Sequence, residues 1–309
     1  MPEATAAQLP LRHPLRYRLE AAGLGLVIAV LRALPLDAAS ALGGTLLRCL
    51  GPLLPWHRRA LHNLHRAMPE LGVDGARRVA RGMWDNLGRT MAELAHLAEF
   101  RDIDGPASRI QVAGMEHAER AFESGRAVLA FSGHIGNWEL LPLVTPDRRR
   151  PMAVVHRRAN NPLVEELLIT ARGASAAERV AKGHQGARRL LALIKDHAAI
   201  GLLVDQKLNE GIAVPFFGRP AMTTPAPAQF ALHYRLALLP MRCERLGGAR
   251  FRISFGPPLA HPDSGDREAD IEAVTAEINR VLESWIRERP EQWLWLHRRW
   301  PEERRGASD

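Results

Sequence analysis

Residues 127–140 read AVLAFSGHIGNWEL. The apolar run 127–131 is too short for a helix and has the length of a buried strand, so the chain is expected to turn at Ser132 and Gly133. A helix is then expected over 137–143. His134 and Glu139 stand five positions apart. On one continuous helix they would point about 140° away from each other, a poor geometry for a pair. With His134 in the loop and Glu139 in the first helical turn, the bend brings them together. Gly136 favours such a bend because it accepts backbone angles closed to most residues.

This strand–turn–helix rhythm recurs. PMAVVH (151–156) reads as a strand before the helix NPLVEELLITARG (161–173), and QGARRLLALIKDHAA (185–199) reads as a helix before the strand IGLLVDQ (200–206). APAQFALHYRL (226–236) looks helical, followed by the strands LALLPMRCE (236–244) and GGARFRISFG (247–256). Strands separated by helices imply an α/β fold with a mostly parallel central sheet flanked by helices. Functional residues are then expected beyond the strand C-terminal ends. Ahead of the sheet, 58–100 reads as two helices parted near MPELGVDG, with Val79, Met83, Leu87, Met91 and Leu94 on one packing face. A long helix is expected over 268–289.

The strand exits carry the chemistry. A near-neutral imidazole at His134 can take a proton from an alcohol, while a carboxylate at Glu139 holds its other N–H and stabilises the imidazolium. Two other readings fit the motif: a metal pair without a convincing third ligand, and an Asn/Glu helix cap beside an incidental histidine. No G-x-S-x-G elbow occurs, which argues against a serine hydrolase of the α/β type. His156, Arg157 and Arg158 follow the next strand, and arginines there suit phosphate or carboxylate. Asp205 and Gln206 close another apolar run; Asp205 can orient an arginine or hold a substrate hydroxyl, or simply cap a loop. In GIAVPFFGRPAMTTP, Phe216 and Phe217 offer an apolar wall with Arg219 and Thr223 at its rim. Core packing explains the two phenylalanines equally well.

A chain of 309 residues can bury one large core with a smaller helical appendage. The hydrophobic content of 46% with 25% charged residues excludes a mainly disordered chain. Cys49 and Cys243 form no CxxC or ligand cluster, which excludes a disulfide scaffold or zinc ribbon and suits a reducing compartment. The formal charge is +8, and only three of the 42 basic residues are lysine. Such a surface can meet anionic lipid or an acidic protein. Nucleic acid is not expected: the basic residues are dispersed and no zinc finger, KH or RRM signature appears.

The N-terminal region, residues 1–57, is apolar and interrupted by charge; residues 58–309 form the principal domain. Between Glu20 and Arg32 lie only 11 uncharged residues, short of the about 20 a simple spanning helix needs. A helical hairpin lying on a membrane face fits better, with Arg12, Arg16 and Arg18 at head groups and Leu24, Val27, Ile28 and Leu31 in the apolar layer. A pair of ordinary core helices and a single tilted span with Arg32 snorkelling are the alternatives.

Taken in order, MWDNLGRTMAE (83–93), SGHIGNWE (132–139), HRRANNP (156–162) with ARG (171–173), LLVDQ (202–206), PFFGRPAMT (215–223) and WLHRRW (295–300) resemble the bacterial lipid A biosynthesis acyltransferases, the late lauroyl and myristoyl group, over nearly the whole chain. The resemblance implies an acyltransferase-type fold at the cytoplasmic face of the bacterial inner membrane, attached by a monotopic or single-pass element. It implies transfer of a fatty acyl chain from acyl carrier protein to a hydroxyacyl chain of a lipid A precursor, with inner-membrane lipids as further partners. His134 resembles the general base and Glu139 its acidic partner. Arg172 and Asp205 match further functional positions that organise the site and bind the polar part of a substrate. Arg157, Arg158, Gln206, Phe216, Phe217 and Arg219 are substrate-binding candidates. The chemistry requires no metal and no nucleotide cofactor. Oxyanion donors are expected among the backbone N–H groups of 133–136 or from an arginine. The rivals are a glycerophospholipid or lysophospholipid acyltransferase, against which the VDQ block and the WLHRRW ending speak, and a non-enzymatic membrane-binding protein.

Overall fold

The computed structural model describes residues 14–103, 105–145, 152–173, 178–181 and 183–301. Among them, the run 128–132 forms a strand with all five residues buried. Counting along the chain, this is β2 (Val128–Ser132), preceded by β1 (Ile110–Ala113) and followed by β3 (Ala153–His156), β4 (Arg179–Ala181), β5 (Ala199–Leu203), β8 (Ala237–Gly247) and β9 (Arg250–Phe255). These seven make one sheet in the order β1-β9-β8-β2-β5-β3-β4. The stretch from β8 to β4 is parallel throughout, and the β8–β9 hairpin reverses direction so that only β9 and its parallel neighbour β1 run the other way. The mostly parallel α/β sheet expected from the sequence is therefore present. The chain enters β2 and returns beside it at β5 on one side and at β8 on the other, so the C-terminal ends of β5, β2 and β8 lie side by side, where functional residues are expected.

Helices cover the sheet. α1 (Pro14–Arg32), α2 (Leu36–Leu50), α3 (Pro55–Ala67) and α4 (Gly72–Glu93) precede it; α5 (Met115–Glu123), α6 (Pro162–Arg172), α7 (His184–Lys195) and α8 (Ala226–Tyr234) connect strands; α9 (Arg267–Glu288) follows. Local chemistry sets several starts. Asn161 caps α6 by accepting from the Leu163 and Val164 N–H groups, with Pro162 at the first helical position. Asp266 caps α9 through Glu268 and Ala269.

Four details depart from the sequence reading. The helix expected over 137–143 is a 3-10 segment, Trp138–Leu143, because Pro142 lies inside it and cannot supply a helical N–H. The segment around PFFGRP forms a separate antiparallel hairpin, β6 (Ile212–Phe216) and β7 (Arg219–Thr223). Its two turn residues, Phe217 and Gly218, have φ of 53° and 67°, the pattern of a type I′ turn. β1 and β4, the two edge strands, are additional to the strands the sequence leads one to expect. On α4, Met83 is buried as expected, as is Leu94 just past its end, but Met91 is 42% exposed. The buried stripe runs instead through Ala76, Ala80, Trp84, Gly88 and Thr90, because α4 is packed on two sides at once.

α1 and α2 form the expected helical pair, yet with a different outward face. Leu24, Ile28 and Leu31 are half-buried, while Leu15, Leu19, Leu26, Val27 and Val30 are exposed. α1 is held by the Asn161 side chain, which donates to the Tyr17 carbonyl and to Glu20, and by His96, whose Nε2 bonds the Leu31 carbonyl. No helix among the described residues is long and apolar enough to cross a membrane, so the single tilted span has no helix to form it there. Arg12 lies outside the described residues.

Candidate active site

The end of β2 and the end of β5 lie side by side, with Ser132 opposite Leu203 and the Val204 N–H donating to the Ser132 carbonyl. That register puts His134 next to Asp205. His134 Nδ1 is 2.7 Å from Asp205 Oδ1, and the His134 backbone N–H donates to Oδ2 at 2.8 Å. The Trp293 indole N–H also donates to Oδ2 at 2.8 Å. Asp205 is wholly buried and takes three donors. Burial, the largest single influence, would raise its carboxyl pKa, but the His134 imidazole, His297 and the donated N–H groups outweigh it and hold the group well below the ordinary carboxylate range.

An Nδ1–H committed to Asp205 leaves Nε2 as the basic nitrogen of His134. Gln206 Nε2 lies 3.4 Å from it. The ring is fixed on both sides, by Trp138 and by His297, each with centroids at 5.0 Å. The loop is equally constrained. Gly136 has φ +59°, and a Cβ there would meet the Cys243 carbonyl oxygen at 2.4 Å, so glycine is required twice over. Its N–H donates to the Gln292 carbonyl, its own carbonyl accepts from Asn86 and Thr90, and the Leu294 N–H donates to the His134 carbonyl.

Glu139 does not pair with His134. Its two oxygens accept a bidentate bond from Arg172, at 2.8 and 2.6 Å. The reason is local: Asn137 accepts from the Glu139 N–H and starts the 3-10 turn, which carries Glu139 toward the end of α6. Burial would lower the Arg172 pKa, but Glu139 and Glu165 turn the balance and raise it. Spacing along the chain favours the nearer carboxylate; the structure gives His134 the one 71 positions away.

The other candidates separate. Gln206 belongs to the site. Arg157 and Arg158 are exposed, and Arg158 joins His156, Glu165, Thr170, Arg172 and Arg179 around a cleft of about 670 Å³. Phe216 and Phe217 are not an open wall: they are buried in a cluster with Trp293, Trp295 and Trp300. Arg219 lies over Trp300, and Thr223 is buried against Arg299 and Asn279. Three backbone N–H groups expected to face an oxyanion are already spent, His134 on Asp205, Ile135 on the Gly133 carbonyl and Gly136 on Gln292.

Trp138, Trp293 and His297 were not singled out from sequence. The last two sit in the tryptophan-rich tail, whose WLHRRW ending was the available signal. Burial, first, and the nearby cations lower the His297 pKa to about 4, against the pull of Asp205. His134, Asp205 and His297 bring metal-type donor atoms within 4.8 Å of one another. The donor set does not fit an ion, because the Asp205 oxygens already accept three N–H groups and binding would break the His134 contact. Cys243 is fully buried, and burial pushes its thiol up to about 12, so it offers no nucleophile.

The sequence profile described as bacterial lipid A biosynthesis acyltransferase matches residues 6–302. The chain belongs to that family. Among its relatives are a lipid A biosynthesis palmitoleoyltransferase of Escherichia coli K12, 25% identical over 96% of this chain and 95% of the relative, and a lipid A biosynthesis lauroyltransferase of the same organism, 26% identical over 94% and 93%. A phosphatidylinositol mannoside acyltransferase of Mycolicibacterium smegmatis is 23% identical over 62% of each chain. For a lipid A acyltransferase the geometry has a direct meaning. One imidazole whose Nε2 meets only the Gln206 amide at 3.4 Å, backed by a buried carboxylate, can deprotonate an acceptor hydroxyl.

Proposed function

We propose that this acyltransferase moves a fatty acyl chain from an acyl carrier protein thioester to the hydroxyl of a hydroxyacyl chain on a lipid A precursor. The observation that carries the reading is the His134–Asp205 contact at the C-terminal ends of β2 and β5. His134 Nε2 takes the hydroxyl proton as the oxygen attacks the thioester carbon, and Asp205 stabilises the imidazolium. The proton then passes to the departing carrier thiol. Glu139 and Arg172 act as one unit: the carboxylate fixes the guanidinium at the edge of the cleft lined by Arg158 and Arg179, where the phosphorylated, polar part of the acceptor binds. The basic surface suits an acidic carrier protein.

Residues 1–57 serve as the membrane-facing region and 58–309 as the catalytic domain, with attachment at the cytoplasmic face of the inner membrane. The exposed stripe of α1, Leu15, Leu19, Leu26 and Val30, supports a helix lying on the surface.

The test is purified protein in detergent, supplied with acyl carrier proteins loaded with chains of graded length and, as acceptors, a lipid A precursor or a lysophospholipid. Transfer to the lipid A precursor, abolished in His134→Ala with the fold intact, is the expected result. Transfer to the lysophospholipid alone overturns the acceptor; wild-type turnover by His134→Ala overturns the base.

A further inference from the structure

The proposed thioester-to-hydroxyl reaction, on which this inference rests, develops negative charge on the acyl oxygen and therefore needs N–H donors aimed at it in a dry site. Most of the loop backbone is spent: of the N–H groups of 133–136, those of His134, Ile135 and Gly136 are committed elsewhere. Arg172 is bidentate to Glu139, and Arg245 is buried against Glu93, Asn86, Thr90 and the Gly248 carbonyl.

His297 remains. Its ring stands edge-on to His134 with centroids 5.0 Å apart, and one of its ligating atoms lies within 4.8 Å of those of His134 and Asp205. Its Nε2 has no hydrogen-bond partner among the described residues and is closed to solvent, so an acyl oxygen reaches it only where the bound substrate moves the ring's neighbours aside. A buried polar atom without a partner is uncommon in a folded chain, and next to a catalytic base it has a use. The backbone holds the residue firmly, since the His297 carbonyl accepts from Asn63 at 2.8 Å and Arg299 two positions on is buried. Burial and the neighbouring Arg299, Arg59 and His134 keep the ring neutral against the pull of Asp205.

We propose that His297 is a second catalytic histidine, donating its Nε2–H to the acyl oxygen as the tetrahedral intermediate forms. The acceptor hydroxyl has one proton, and it goes to His134; His297 therefore acts as a donor and not as a rival base. As the new carbon–oxygen bond forms, the carbonyl π pair moves onto the acyl oxygen, which His297 binds. When the carbonyl re-forms, the carbon–sulfur bond breaks and His134 returns its proton to the carrier thiolate. Gln206 Nε2, 3.4 Å from His134 Nε2, is close enough to serve as a second donor once the acceptor hydroxyl takes its place at the base.

Two measurements test this. His297→Phe keeps an aromatic ring against His134 and removes the donor; His297→Gln keeps an amide N–H near the Nε2 position. In steady-state transfer, the Phe variant is expected to lose about 10²–10³-fold in kcat with KM for both substrates within about twofold, and the Gln variant to recover at least about tenfold of that loss. A Phe variant with near wild-type kcat, a change confined to KM, or an equal loss in both variants overturns the assignment. The assay uses whichever acceptor the wild type accepts, so a wrong acceptor is seen in the wild type and a wrong role for His297 in the variants. Independently of folding variants and of substrate, nitrogen-15 NMR of histidine-labelled wild type is expected to show His297 neutral with the proton on Nε2 from pH 5 to 8. A bare Nε2 or a charged ring in that range also overturns it.

Discussion

Asp205 accepts three N–H groups with two oxygens, and only one of the three reaches the chemistry. Asp205→Asn preserves size but removes the charge behind the imidazole and the control of its tautomer. The expected loss in kcat is about 10²–10⁴-fold with circular dichroism unchanged. Glu139→Gln acts through Arg172 and is expected to cost less in kcat and more in acceptor KM; an equal kcat loss with the same change in pH profile would return Glu139 to the role of polariser. A second prediction concerns stability. His297 titrates near 4 in the folded chain and near its ordinary 6.5 when unfolded, so between those values the unfolded chain binds the extra proton. Stability therefore falls as pH drops from about 6.5 to about 4, by roughly 3 kcal/mol for this group alone. His297→Gln, compared with wild type by thermal midpoint across that window, should lose this part of the slope; an unchanged slope counts against it. His134, Arg172 and Asp205 were legible because each stands at a strand or helix exit. Their pairing was not legible, since it depends on the β2–β5 register and on one Asn-capped turn rather than on spacing along the chain. Trp293 and His297 were hidden in a tail whose residue types suit core packing equally well.

At the scale of elements, α4 joins the N-terminal helices to the catalytic loop. Gly43 of α2 and Gly88 of α4 bring two backbones together so closely that a Cβ on either would lie within 2.4 Å of the other's carbonyl oxygen. Beside them Glu93, fully buried, accepts from Ser40 of α2, from Asn137 of the catalytic loop and from Arg245 of β8. A single carboxylate thus ties α2, α4, β8 and the start of the 3-10 turn that directs Glu139. Glu93→Gln leaves Arg245 charged and buried without its counter-ion, a change worth about 3–5 kcal/mol. The expected outcome is a markedly lower thermal midpoint and lost activity; a midpoint within a degree or so of wild type would show that the network can relax. The long periodic helices and the central strands could be read from sequence because burial imposes a period on them. The stripe on α4 misled because its contacts are made by Gly88, Thr90, Asn86 and Glu93, residues that an apolar pattern does not count.

For the whole molecule the decisive asymmetry is on α1. A helix docked only on protein has no reason to leave a continuous apolar stripe outside, yet Leu19 is 66% exposed, Leu26 67% and Val30 51%, on the face opposite Leu24, Ile28 and Leu31. The same helix is tied through Asn161 to the start of α6, and α6 ends at Arg172, so a surface that held α1 would also set the height of the cleft above the lipid. Replacing Leu19, Leu26 and Val30 together by Ser removes exposed side chains with no cavity left behind, so the fold and its thermal midpoint should stand. Burying each in a lipid interface contributes on the order of 1–2 kcal/mol, so the triple variant is expected to bind vesicles at least about 10²-fold more weakly. Flotation with vesicles containing phosphatidylglycerol, at low and high salt, reads the outcome and separates the apolar contribution from that of Arg16 and Arg18. Activity on a detergent-dispersed acceptor should survive the substitutions while activity on a vesicle-borne one falls. Undiminished flotation would show that α1 is not the face that meets the membrane.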